Sequence, residues 1–89
     1  MEGFYYTYVL QCEKDGKFYT GFTSNLMKRF EKHYNGNIKS TKNRRPLKLI
    51  YFEACLSKEE TTHREKYLKS FYGKMFFNNR LAKWFSQSE

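Results

Sequence analysis

The stretch Thr23-Ser24-Asn25-Leu26-Met27-Lys28-Arg29-Phe30-Glu31-Lys32-His33 decides how this chain is read. Hydroxyl and amide side chains open it and apolar residues then recur at helical spacing. It predicts a helix from about Asn25 to Tyr34, stopped by Asn35 and Gly36. Arg29 and His33 stand one helical turn apart and share a face. That face also carries Leu26 and Phe30, the residues such a helix buries, whereas Lys28, Glu31 and Lys32 fall opposite. A cation on an apolar stripe costs desolvation unless an anion meets it, so the helix is expected to line a site as well as fill a core.

Upstream, Phe4 to Leu10 reads as a strand, with Phe4, Tyr6, Tyr8 and Leu10 on one face and Tyr5, Thr7 and Val9 on the other. Asp15 and Gly16 have the chemistry of a two-residue hairpin turn, and Phe18 to Phe22 returns as the second strand. Any loop with an even number of residues places Tyr8 and Tyr19 on the same sheet face. Two roles are open to Gly21: close approach of another group to the backbone, or a simple strand end.

Downstream, Asn37 through Arg45 is a polar, basic loop whose Lys39, Lys42, Arg44 and Arg45 stand beside the hydroxyls of Ser40 and Thr41. Such a mixture suits phosphate contacts. Leu47 to Leu56 is apolar on both faces and predicts a third strand covered on both sides. Ser57 and Glu60 form a capping box for a second helix reaching Phe71 or Tyr72, with Gly73 as its stop and Leu68, Phe71 and Tyr72 as its apolar stripe. At 100° per residue Glu65 lies about 60° from Leu68, at the edge of that stripe. Lys69, one turn on, is its ordinary partner. A third helix is expected over Lys74 to Phe85.

With 89 residues, no repeat and no linker, the chain is expected to form one domain over 1–89. Its net charge is +8, and residues 26 to 49 hold eight basic side chains against Glu31 alone, a surplus of seven. That concentration is the footprint of a polyanion, set against the plain alternative of solubility charge. Nucleic acid fits better than membrane, because no basic helix there has a broad lipid-facing stripe. Cys12 and Cys55 lack metal or redox spacing and read as reduced core residues. With no spanning segment and no signal-peptide pattern, the expectation is a soluble, cytoplasmic protein.

The candidate site is thus two same-face tyrosines, an arginine and a histidine one turn apart, and a boundary glutamate. Each type has a task in phosphodiester hydrolysis: a carboxylate holds a cation that clamps phosphate, an arginine neutralises charge on the phosphoryl oxygens, and a Tyr or His takes a proton from water. Outside the charged loops the acids are chiefly Glu53 and Glu65, which argues for one metal on a single protein ligand.

These residues resemble the GIY-YIG nucleases. Tyr6-Thr7-Tyr8 stands in the place of the first signature and Tyr19-Thr20-Gly21 in that of the second, with Tyr19 eleven positions after Tyr8. Thr23-Ser24-Asn25-Leu26 with Arg29 and His33 is similar to the family's helix, and Arg64-Glu65-Lys66-Tyr67-Leu68-Lys69 to the segment carrying its metal-binding glutamate. The likeness continues through Ser40 to Leu49 and is closest to small stand-alone bacterial members. Tyr6, Thr7 and Thr20 depart from the signatures, while the tyrosines are kept.

The resemblance implies an α+β fold of order ββαβαα, a small mixed sheet of three strands flanked by helices. It implies a DNA endonuclease dependent on Mg²⁺ or Mn²⁺, of a structure-specific repair or recombination type, with RNA left open. Glu65 would hold the metal, Arg29 would stabilise the phosphate, and Tyr8 would lead as general base, supported by Tyr19 and His33. Lys28, Lys32, Lys39, Thr41, Lys42, Arg44, Arg45 and Lys69 are the expected nucleic-acid contacts. So small a domain has little surface for reading bases, so a homodimer or a partner protein is the expected aid. The alternative is a catalytically silent basic module of the same fold.

Overall fold

Alternation of Tyr, Thr and Val makes β1 (Tyr5–Cys12) the strand on which the others assemble. In the computed structural model, which describes residues 3–87, it is followed by β2 (Phe18–Thr23), α1 (Leu26–Tyr34), a short 3-10 turn (Lys42–Arg44), β3 (Leu47–Cys55), α2 (Lys58–Lys69), α3 (Phe71–Arg80) and α4 (Ala82–Gln87). The strand order is β2-β1-β3, and both pairings are antiparallel, so the sheet expected to be mixed is antiparallel throughout.

The central strand is β1, where Thr7, Tyr8, Val9 and Leu10 are buried in succession. β3, expected to be covered on both sides, is an edge strand with Phe52 51% exposed. A register shift explains why it reads as apolar on both faces. Val9 pairs with Tyr51 and Leu10 with Leu49, leaving Ile50 as the extra residue. Leu47 and Leu49 then join one core, and Ile50 and Tyr51 the other.

In the hairpin Gln11 pairs with Phe18, and the Cys12 N–H donates to the Lys17 carbonyl at 2.9 Å. The loop is therefore four residues, Glu13 to Gly16, instead of the expected two, and Gly16 takes the positive φ of +73°. An even count is kept. Tyr8 lies opposite Gly21, Leu10 opposite Tyr19, and the two tyrosines share a face.

Each sheet face carries a core. On one, Tyr8, Leu10, Cys12 and Leu47 pack with Leu26 and Phe30 of α1. On the other, Val9 packs with Leu68 of α2 and Phe77 of α3. Asn25 caps α1 by accepting from the Lys28 N–H at 3.1 Å, and Gly36 ends it at φ +79°. Ser57 caps α2 by accepting from the Glu60 N–H at 3.1 Å, whereas its own N–H goes to the Cys55 sulfur.

The C-terminal helices depart from expectation. α2 ends at Lys69, Phe71 and Tyr72 are 71% and 64% exposed, and Gly73 lies buried within α3 instead of stopping α2. A side chain at Gly73 would run into the Leu68 carbonyl, so this glycine allows α3 to fold back tightly on the end of α2. The expected third helix begins earlier and breaks at Leu81 into α3 and α4.

Candidate active site

α1 lies against the Tyr8 face and presents His33 inward, 0% exposed. The Tyr8 hydroxyl and His33 Nε2 share a hydrogen bond of 2.9 Å, and His33 Nδ1 is 2.7 Å from the Thr41 hydroxyl. Ser40 donates to the Tyr19 hydroxyl at 3.4 Å, and the Tyr19 and His33 rings meet edge to face at 5.2 Å. Thr41 was expected among the surface phosphate contacts. It is 0% exposed, and its hydroxyl serves His33.

α2 packs on the opposite face, tied to the sheet by the Thr7 hydroxyl donating to the Thr61 carbonyl at 3.3 Å. Thr61, Glu65 and Leu68 follow one another along the inner side of α2, which holds the Glu65 side chain to 17% exposure. Because β2 is a short edge strand, groups from both faces reach round it. An open cleft of about 440 Å³ is lined by Tyr8, Tyr19 and Arg29 from the α1 side and by Lys58 and Glu65 from α2, with Gly21 and Phe22 between them.

Gly21 is the hinge of this arrangement. A Cβ there would stand 2.5 Å from the Tyr8 hydroxyl oxygen, so of its two expected roles the close approach holds. Lys58 also lines the cleft, and no spacing in the sequence singled it out. Only its position two turns before Glu65, on the same side of the helix, could have found it.

Burial pushes the Tyr8 phenol up to about 12, assisted by the nearby Tyr19 and Glu65 and opposed by Arg29. Burial, with Arg29 second, pushes His33 down to about 4. At neutral pH the pair is a neutral phenol bonded to a neutral imidazole. Glu65 pairs with Lys69 at 3.2 Å, as its position on α2 foretold.

The other candidate acid has different work. Glu53 receives the Arg64 guanidinium at 2.9 and 2.8 Å and the Tyr51 hydroxyl at 2.8 Å, and these bonds hold its carboxyl below the usual range despite burial. The guanidinium of Arg64 lies over the Phe76 ring at 4.8 Å, so this cluster braces β3 against α2 and α3.

Of the basic residues predicted to meet nucleic acid, Lys28 and Lys32 border with Arg29 a hollow of about 150 Å³ beside the cleft. Lys39 and Lys42 are exposed on the loop. Arg44 donates to the Phe18 carbonyl at 3.2 Å, and Arg45 to the Lys42 and Tyr34 carbonyls, packing over Gly36. These two arginines fasten the loop to the sheet and to α1.

The chain matches the model of the GIY-YIG catalytic domain over residues 4–85 and belongs to that family, which is one of nucleases. Its relatives include bacterial UPF0213 proteins: that of Clostridium perfringens is 49% identical over 65 residues, covering 72% of this chain and 69% of the relative. That of Staphylococcus saprophyticus is 44% identical over 68 residues, covering 75% and 82%. The solution structure of a UPF0213 protein from Bacillus halodurans, 35% identical, superposes with a TM-score of 0.54 over 85% of this chain and 83% of that one.

Proposed function

We propose that this chain is a divalent-metal-dependent endonuclease that hydrolyses DNA phosphodiester bonds, recognising backbone and shape in a repair or recombination setting in the cytoplasm. One observation carries the reading: Tyr8, Tyr19, Arg29 and Glu65, drawn from opposite faces of the sheet, line one cleft.

The donor set fits a hard cation. Among the described residues no three of His, Cys, Asp and Glu gather as a metal cluster, so Glu65 would be the single protein ligand. Mg²⁺ and Mn²⁺ accept such a site, completing their shell with water and phosphate oxygens. When bound, the cation supplies Lewis-acid polarisation of the phosphate. Lys69, 53% exposed, is free to swing away as Glu65 takes up that role.

The chain's own residues do the rest. Water oxygen bonds to phosphorus as the bond to the leaving sugar oxygen breaks, and Arg29 offsets the charge that grows on the phosphoryl oxygens. A phenol with a pKa of about 12 is not a preformed base, so Tyr8 acts as a relay. It receives the water proton while passing its own to His33 Nε2, which stands 2.9 Å away and is neutral. Thr41 then accepts from the Nδ1–H of the imidazolium. The imidazolium, which burial and Arg29 disfavour, is transient: as the leaving oxygen takes up a proton in the cleft, His33 returns its own through the Tyr8 hydroxyl, so the water proton ends on the leaving group and both residues end neutral.

Cleavage of plasmid and branched DNA with Mg²⁺ or Mn²⁺, by the wild type and by Glu65→Ala and Arg29→Ala, tests the assignment. Loss in both variants supports it; undiminished cleavage in both sinks it. The Glu65–Lys69 ion pair favours a second reading, a silent binding module in which that carboxylate is structural. Such a module binds DNA with steep salt dependence, and EDTA leaves its affinity unchanged.

A further inference from the structure

A second cleft, of about 570 Å³, is lined in part by β2, the edge strand that also contributes to the first. Lys17 just before β2, Arg44 from the 3-10 turn, Lys69 from the end of α2 and Lys74 from α3 line it, and none of its lining residues is acidic. Four cations from four separate segments thus face one hollow. Sequence reading found only two of them, because the charge surplus of residues 26 to 49 drew the expected footprint onto the loop.

Both clefts are built on β2 and α2. Phe18 and Thr20 of β2 line the second, whereas Tyr19, Gly21 and Phe22 line the first. On α2, Glu65 borders the first and Lys69 the second, four residues and so about 6 Å farther along the axis. Lys69 bridges the boundary through its 3.2 Å pair with Glu65. Arg44 is held in place by its bond to the Phe18 carbonyl, and Lys17 and Lys74 are exposed at the rim.

We propose that the second cleft is a phosphate subsite that holds the nucleic-acid backbone next to the cleaved bond, so that the substrate strand crosses the edge of β2 from one cleft into the other. This rests on the reading of the first cleft as the seat of the scissile phosphate. It deepens that reading by giving the DNA strand a second backbone contact outside the first cleft, which a small phosphodiester would not reach.

The test compares Lys17→Ala/Lys74→Ala with Lys66→Ala/Lys83→Ala, a control that removes the same charge from residues lining neither cleft. Binding of a fluorescent oligonucleotide is followed in EDTA, and hydrolysis of bis(p-nitrophenyl) phosphate with Mn²⁺ reports on the first cleft. The cleft variant is expected to bind about tenfold more weakly and to lose about two from the slope of log affinity on log salt. Its small-ester hydrolysis should match the wild type. An equal loss of binding in both double variants, or none in either, overturns the subsite. A wild type that hydrolyses no ester speaks against the nuclease reading alone, while the binding comparison still decides whether the cleft holds backbone phosphate.

Discussion

Tyr8 and Gly21 face each other across the β1–β2 ladder, and the Tyr8 hydroxyl lies where a side chain at position 21 would begin. The glycine of the second signature is therefore kept small by the tyrosine of the first. Gly21→Ala must push the phenol away from His33 or strain the strand. We expect a loss of about 1–3 kcal/mol in urea unfolding and a drop in cleavage of more than about tenfold. Unchanged cleavage in a stable Gly21→Ala protein would remove the steric account.

His33 gives the fold a particular response to acid. Its pKa is about 4 when folded and near 6.5 when unfolded, so its stabilising contribution is fully present above pH 6.5 and is lost as pH falls through 4. Between those values stability should decline by about 1.4 kcal/mol per pH unit. Urea titrations at several pH values should show this slope in the wild type and a flatter one in His33→Gln. Tyr8 acts at the other end: its raised pKa stabilises below pH 10, and that contribution is lost as pH rises through about 12.

Thr41 should behave as a positioning residue. Thr41→Val keeps the shape and removes the 2.7 Å partner of His33 Nδ1, at an expected cost of about 1–3 kcal/mol. If the relay operates, kcat falls with little change in KM, and Thr41→Ser restores much of it. Equal kcat in Thr41→Val and the wild type would confine the hydroxyl to a structural role.

The two half-buried glutamates should part company. Glu65→Ala is expected to lower metal-dependent cleavage by about 100-fold or more while the protein remains folded. Glu53→Ala should retain cleavage per folded molecule and lower the unfolding midpoint, because it frees Arg64 and Tyr51 from their shared acceptor. Activity and thermal unfolding measured on both variants check the division. Cleavage lost with Glu53 and kept with Glu65 would reverse it.

Local chemistry made much of this chain legible. Asn25, Ser57, Gly16 and Gly36 mark their caps and turns through side chains and backbone angles that depend only on near neighbours. The odd cation and imidazole on the apolar face of α1 drew attention to the residues that the structure places against the cleft and against Tyr8. Short-range rules failed where a neighbour in space overruled them: Gly73 looked like a stop because its contact with Leu68 belongs to the fold-back of α3.

By itself the sequence determined the hairpin, the three strands and the caps at Asn25 and Ser57, and it proposed the set Tyr8, Tyr19, Arg29, His33 and Glu65, since period and spacing are written along the chain. Only the tertiary structure decided that β1, not β3, is central, that Thr41 is buried on His33, and that Lys17 and Lys74 join Arg44 and Lys69. It also decided that groups on opposite faces of a sheet can share one cleft, because the edge of a short strand lets them meet around it. No pattern along the chain encodes that meeting, which depends on which strand lies outermost and on where the helices pack across its edge.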